Sequence, residues 1–253
     1  MLAELLELAP SGVEEVEIGA DVIEYAVYGA PGELPALPAL KAAAGGAYVD
    51  VSTEEIADDW AERWRSFHRP VVVGDRLTVR PPWEPPGRTA LNVVIDPGQA
   101  FGTGAHATTR LCLELMLGAE PSGSFIDVGC GSGVLAIVAA QLGWEPVTAL
   151  DHDPAAVAAT RENAARNGVG LAVRDFDLRR DQVPEADLVA ANLLATPLIA
   201  WATSQHELAP SLILSGLLAT EADRVATAYA RRGRHERGRR VSGEWAALAL
   251  SRD

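Results

Sequence analysis

Cysteine is almost absent: Cys112 and Cys130 are the only two in 253 residues, too few for a disulfide framework or a cysteine-rich zinc site. Both are expected as reduced thiols, and no metal site is expected. Long apolar runs are missing too, since none approaches the roughly 18–20 residues that a membrane-spanning helix needs. The opening stretch MLAELLELAPSGVEE has no basic region and turns acidic at once, so it does not read as a secretory signal. A cytoplasmic protein with no membrane association is the expectation.

Positive charge is the third scarcity. Between Met1 and Glu62 there is one base, Lys41, against fourteen acids, so this quarter carries nearly all of the chain's net charge of −14. Such a segment repels phosphate backbones and attracts basic proteins, or serves as a solubilising face. Direct nucleic-acid binding is not expected of it. Hydrophobic residues make up 48% of the chain, enough for a substantial core.

Three regions follow one another. Residues 1–52 read as a small α+β module: a short helix at 2–8, a hairpin from Val16–Ile18 and Ile23–Tyr28, a helix at 34–44 and a strand at 47–51. Residues 53–86 read as a linker. Ser52 or Thr53 caps a helix that carries Ile56, Trp60 and Trp64 on one stripe and ends at Pro70. A hairpin of Val71–Val73 and Leu77–Val79 then turns through Gly74-Asp75. Residues 87–253 alternate short apolar strands with helical stretches, which predicts an α/β domain with a mostly parallel sheet and helices on both faces. Its strands are Ser124–Val128, Pro146–Ala149, Leu171–Val173, Leu188–Ala191 and Leu212–Ser215, with Glu244–Leu250 closing the sheet. The basic stretch 231–240 reads as a solvated loop.

Chemistry concentrates in three motifs. In DVGCGSGVLAI a strand runs into a turn containing Gly129, Gly131 and Gly133, then opens a helix. Glycine lets the backbone bend sharply and lets a ligand approach without meeting a Cβ atom. The G-x-G-x-G spacing differs from the G-x-G-x-x-G of dinucleotide folds, whose pyrophosphate sits on the helix N-terminus. It suits a ligand without pyrophosphate, such as S-adenosylmethionine. Asp127 at the strand end either holds the loop or meets the ligand's ammonium. The next strand ends on Asp151, where a carboxylate accepts hydrogen bonds from both ribose hydroxyls. A dehydrogenase shares that acid. Asp175 or Asp177, beyond the third strand, is placed to reach an adenine edge or is a plain loop acid.

The second motif is DPGQAFGTGAHATTR. Its glycines, threonines and histidine surround the polar end of a ligand, while Thr108 or Thr109 caps a helix at Arg110–Leu117. His106 has no neighbouring carboxylate in sequence and reads as a hydrogen-bonding scaffold. In the third motif, DLVAANLL, a strand ends on Asn192 at the carboxyl edge of the sheet, where open α/β folds bind ligands. An asparagine there accepts an amine N–H and aims the nitrogen lone pair at a methyl carbon.

These segments, with LILSGLL and DDWAERWRSFHRP, resemble the family that methylates large-subunit ribosomal protein eleven. The resemblance spans about residues 55–250. It implies a class I methyltransferase domain of Rossmann-like fold, a small N-terminal substrate-recognition domain and a linker helix. It also implies S-adenosylmethionine as cofactor and S-adenosylhomocysteine as product. Family cofactor contacts fall on Thr109, Gly129, Asp151 and Asn192, with Phe101, Gly102, Thr103 and His106 lining the same pocket. The implied substrate is the basic ribosomal protein eleven, methylated at lysine side chains and an N-terminal α-amine.

Departures from the family pattern cluster on the substrate side. The N-terminal module is short and lacks a first strand, so either the start lies upstream or the module is reduced. Pro210-Ser211 also replaces the usual glycine pair. Alternatives are a lysine methyltransferase acting on another basic protein and an inactive cofactor-binding assembly factor. Nucleobase methylation fits less well, because Leu193-Leu194-Ala195 supplies no stacking ring.

Overall fold

The computed structural model describes residues 68–97 and 104–253 in full and residues 13–19 and 22–27 as backbone. The expected helices at 2–8 and 34–44, the strand at 47–51, the helix bearing Ile56, Trp60 and Trp64, and Phe101, Gly102 and Thr103 lie outside the described residues. The chain divides into two compact units, Met1–Trp60 and Ala61–Asp253. In the first, β1 (Val13–Gly19) and β2 (Val22–Val27) pair antiparallel, which is the hairpin expected there.

In the second unit, β3 (Val71–Val73) and β4 (Leu77–Arg80) form the expected hairpin, turning at Gly74 with φ +57°. The sequence reading stopped this element at the proline-rich stretch after it. The structure adds β5 (Leu91–Val94), which pairs parallel with β4 and completes a three-stranded sheet.

The main sheet has seven strands in the order β11-β12-β10-β9-β6-β7-β8. They are β6 (Phe125–Val128), β7 (Val147–Asp151), β8 (Ala172–Asp175), β9 (Leu188–Asn192), β10 (Ser211–Leu218), β11 (His235–Ser242) and β12 (Trp245–Ser251). The run from β10 to β8 is parallel, and β12 joins it antiparallel to β10. Asp175 therefore lies inside β8, level with Asp151 in β7, rather than beyond the strand.

Alternation along each strand sends side chains to opposite faces. Phe125, Leu188, Ala190 and Ile213 pack with α1 (Ala107–Leu117), α2 (Val134–Leu142) and α3 (Pro154–Arg166). Ile126, Val128, Val189, Ala191, Leu212 and Leu214 pack with α4 (Ala195–Ser204) and α5 (Ala222–Ala230). Strand order reverses between β6 and β9, and in open α/β sheets that reversal opens a crevice at the carboxyl ends of the strands. All three sequence motifs converge there.

The stretch 231–240 is not a solvated loop. Most of it belongs to β11, the edge strand antiparallel to β12. Its arginines find partners that the linear sequence does not announce. Arg237 pairs with Asp253 at 2.6 Å, and Arg239 pairs with Asp223 and Glu236 at 2.7 Å each. Arg234 is buried and donates to the carbonyls of Leu208 and Ala209. Charged side chains along an exposed edge also block pairing with other chains.

Candidate active site

The glycine turn is built by β6, β7 and α3 together. Gly129 and Cys130 donate their N–H groups to the carbonyl of Leu150, at 2.8 and 3.1 Å, which folds the turn onto β7. Gly129 has φ +74°, and a Cβ atom there would lie 2.7 Å from the Leu193 side chain, so another residue would be strained and would push Leu193 aside. Gly133, at φ +81°, caps α2 and would meet Thr160 at 2.7 Å. The N–H of Gly131 donates to Asp151 Oδ2 at 2.9 Å, and Asp153 N–H donates to Oδ1 at 3.0 Å. Each carboxylate oxygen thus keeps acceptor capacity beyond the bond that orients it.

Asp127 is fully buried under the turn, and its Oδ2 accepts the Ala136 N–H of α2 at 3.1 Å. That bond ties the end of β6 to α2 rather than to the glycine turn itself. A carboxylate with no exposed surface reaches a ligand only if its cover moves. Asp175 is exposed at the strand end beside Asp151. Asp177 is instead engaged by Arg179 at 2.9 Å and Arg180 at 3.7 Å, which hold its carboxyl down to about 2.

The helix cap in the second motif differs from expectation. α1 starts at Ala107, and His106 caps it by accepting the Thr108 N–H, its Nδ1 lying 2.7 Å from Thr108 Oγ1. Thr108 and Thr109 lie within the first turn and are buried. Imidazole nitrogen fills the role usually given to a hydroxyl or carboxylate, and the ring packs edge-on against Trp245, centroids 5.0 Å apart. Burial, and then the charge of Arg110, lower the His106 pKa and favour the neutral, accepting ring. Through Nδ1, His106 thus caps the helix.

Asn192 ends β9, and its Nδ2 donates to Thr109 Oγ1 at 3.2 Å, joining residues 83 positions apart. Its Oδ1 takes no part in that bond. The backbone beyond it is clamped by Ser215 and Gly216 of the LILSGLL segment. Ser215 receives the Leu193 N–H on its carbonyl at 3.0 Å and sends its hydroxyl to the Thr108 carbonyl at 2.9 Å. Gly216, at φ +83°, lies so close to Leu193 that a Cβ would fall 2.5 Å from its carbonyl oxygen.

A second unread feature is a polar stripe on α3. Thr160 donates to the Gly131 carbonyl at 2.9 Å. Asn163 accepts the Asp96 N–H and donates to the Ser132 carbonyl, both at 3.0 Å. Asn167 exchanges bonds with both backbone groups of Val94, at 2.8 and 2.7 Å. One helix face thus ties the glycine turn to the segment entering the DPGQAFGTG loop. The signal available in sequence was three polar residues at i, i+3 and i+7 of an alanine-rich helix, the spacing of one face. Asn163→Ala removes both of its bonds, to the Asp96 N–H and to the Ser132 carbonyl. A loss of about 1–2 kcal/mol in urea unfolding is expected, and a loss under ~0.3 kcal/mol would show that this tie contributes little.

Known proteins share much of this sequence and fold. The sequence model of the ribosomal protein L11 methyltransferase (PrmA) family matches residues 34–253. The chain belongs to that family. The Pectobacterium carotovorum ribosomal protein L11 methyltransferase is 46% identical over 185 residues, covering 70% of this chain and 62% of the relative. Its Symbiobacterium thermophilum counterpart is 42% identical over 197 residues, covering 76% and 65%. The chain thus spans less than two thirds of the length of either curated relative. Among solved structures, a ribosomal protein L11 methylase from Lactobacillus delbrueckii subsp. bulgaricus superposes with a TM-score of 0.65 at 30% identity. That superposition covers 74% of this chain and all of the other.

In this member of the L11 methyltransferase family, the buried Asp127 has a measurable consequence. Burial pushes its carboxyl from 3.8 up to about 7, with the negative Asp151 adding to the rise and the Ala136 N–H opposing it. Folded protein therefore holds this proton up to about pH 7, whereas the unfolded chain releases it near pH 4. Across that window the native state binds more protons, so this group's contribution makes stability fall as pH rises. Asp127→Asn, which carries no titrating proton, removes that contribution. Urea unfolding from pH 4 to 8 should show the variant gaining stability relative to wild type as pH rises, and parallel curves would contradict the assignment.

Proposed function

We propose that this chain is an S-adenosylmethionine-dependent methyltransferase that transfers methyl groups to amino groups of ribosomal protein L11, at lysine side chains, the N-terminal α-amine or both. The observation that carries the reading is the Asn192–Thr109 bond beside the glycine turn held by Asp151, in a chain of this family. The cradle suits the cofactor: the Asp151 carboxylate is oriented by the Gly131 and Asp153 N–H groups and keeps acceptor capacity for two hydroxyls.

Bound there, S-adenosylmethionine supplies an electrophilic methyl carbon on a sulfonium. Asp151 would accept the ribose hydroxyls, and exposed Asp175 would reach the adenine edge. Phe101, Gly102, Thr103, His106 and Thr109 would border the methionine end of the ligand. The amine must arrive neutral, because an ammonium has no lone pair, and its unperturbed pKa near 10.4 leaves little neutral form at pH 7. Asn192 Oδ1 would accept one N–H and turn the lone pair toward the methyl group. Positioning of this kind, with exclusion of water, is the main contribution a protein makes to an in-line displacement.

The acidic segment 1–62 would receive the basic substrate, in a cytoplasmic setting. No described helix is long and apolar enough to cross a membrane. The test is product formation. S-adenosylhomocysteine, separated by chromatography, should accumulate only when enzyme, S-adenosylmethionine and ribosomal protein L11 are all present. Accumulation with other basic proteins but not with L11 would keep the chemistry and reassign the substrate.

A further inference from the structure

Leu194 occupies a position where local rules ask for another residue. It is the N-cap of α4, with φ −61° and ψ 156°, and it makes no side-chain cap bond. Helices favour Ser, Thr, Asp or Asn at this place, because a side-chain oxygen can take one of the free N–H groups of the first turn. The first turn of α4 also has no acid. Leu194 is moreover 67% exposed, one of three large hydrophobic residues in that state among those described. A residue that breaks both the capping and the burial rule, on well-ordered neighbours, marks a place shaped by function.

Those neighbours are ordered. Leu193 turns its side chain against Gly129 and its backbone against Gly216. Asn192, one residue earlier, is held by Thr109. The chain therefore presents, in succession, a polar acceptor, an inward anchor and an outward apolar side chain at the carboxyl edge of the sheet.

We propose that Leu194 packs against the methylene stem of the substrate lysine whose amine Asn192 receives, setting the depth of entry and removing water from the amine. The inference rests on the methyltransferase reading above. A lysine carries four methylenes behind its amine, and an apolar wall beside the acceptor matches that length of hydrocarbon. The same wall favours the neutral amine, since removing water disfavours the charged form. The uncapped positive end of α4 acts in the same direction. A serine or aspartate at this position would cap the helix better and serve the reaction worse.

That opposition supplies the test. Leu194→Ser should lower kcat/KM for ribosomal protein L11 about five- to tenfold, a loss of the size a few apolar contacts produce. Affinity for S-adenosylhomocysteine should stay within twofold, and Tm should be equal to or above wild type. Leu194→Met, apolar and of similar volume, should keep at least half of the wild-type kcat/KM. Leu194→Asp should in addition move the alkaline rise of the pH–rate profile to higher pH, because a carboxylate stabilises the ammonium. A Leu194→Ser enzyme matching wild type on L11, or a Leu194→Met enzyme as impaired as Leu194→Ser, would overturn the inference alone. A wild-type enzyme that leaves L11 unmethylated would overturn the parent reading and this inference with it.

Discussion

Replacing Asn192 with alanine is expected to cut the methyl-transfer rate by roughly a hundredfold or more while S-adenosylhomocysteine affinity stays within a few fold, a few kcal/mol of transition-state positioning. The split follows from where the residue stands. Its Nδ2 donates to Thr109, 3.2 Å away, which orients the amide. Its backbone is fixed by the Leu193 N–H to Ser215 bond and by the close approach of Gly216. What alanine removes is the oriented Oδ1 acceptor, while the glycine turn and Asp151 stay in place. Single-turnover kinetics on ribosomal protein L11, with calorimetry of cofactor binding, separates the two effects. An unchanged rate would remove Asn192 from the mechanism.

Asp151→Ala is expected to act on the other half of the site and weaken cofactor binding by about 1.5–3 kcal/mol, the usual range for hydrogen bonds to a charged group. That corresponds to roughly a 10- to 150-fold rise in Kd. Two losses combine in the variant. The ribose hydroxyls lose their acceptor, and the N–H groups of Gly131 and Asp153 lose the oxygens that orient the turn. Asp151→Asn separates them, because its one carbonyl oxygen can keep one backbone bond while its NH2 replaces an acceptor with a donor. Both variants should bind S-adenosylhomocysteine more weakly, the alanine more so. Calorimetry showing wild-type affinity in both would place the ribose elsewhere.

How much of this was legible in the sequence depended on whether the controlling interactions are local. The strand, glycine turn and helix from Phe125 to Leu142 are specified by residues within one short stretch, and they stand as read. The alternation of strands and helices identified a mostly parallel sheet, and the acid read at the end of its second strand does close β7. Features depending on distant partners were misread or unseen. β11 looked like a loop because six arginines in ten residues suggest solvent. Its strand conformation comes from pairing with β12, with Asp253 and Asp223 supplied from elsewhere in the chain.

The capping histidine shows the same limit. Two threonines were the better local caps, yet the cap is His106, whose ring also packs on Trp245, far along the chain. Parallel pairing of β5 with β4 crosses a proline-rich stretch that looked like a boundary. At the site, Asn192, Thr109, Gly129 and Asp151 were each named from motifs. That Asn192 bonds Thr109, and that Ser215, Gly216, Thr160 and Asn163 hold the frame around them, required the fold.

The most direct test of the account is the intact mass of purified ribosomal protein L11 after incubation with this enzyme and S-adenosylmethionine. Lys41 is the enzyme's only lysine, so its own mass provides a simple internal control for self-methylation. The account predicts that L11 gains mass in steps of about 14 Da, one methyl each, and that the Asn192→Ala enzyme produces no such ladder in the same time. Unmodified L11, under conditions where calorimetry shows the cofactor bound, would contradict the assigned substrate.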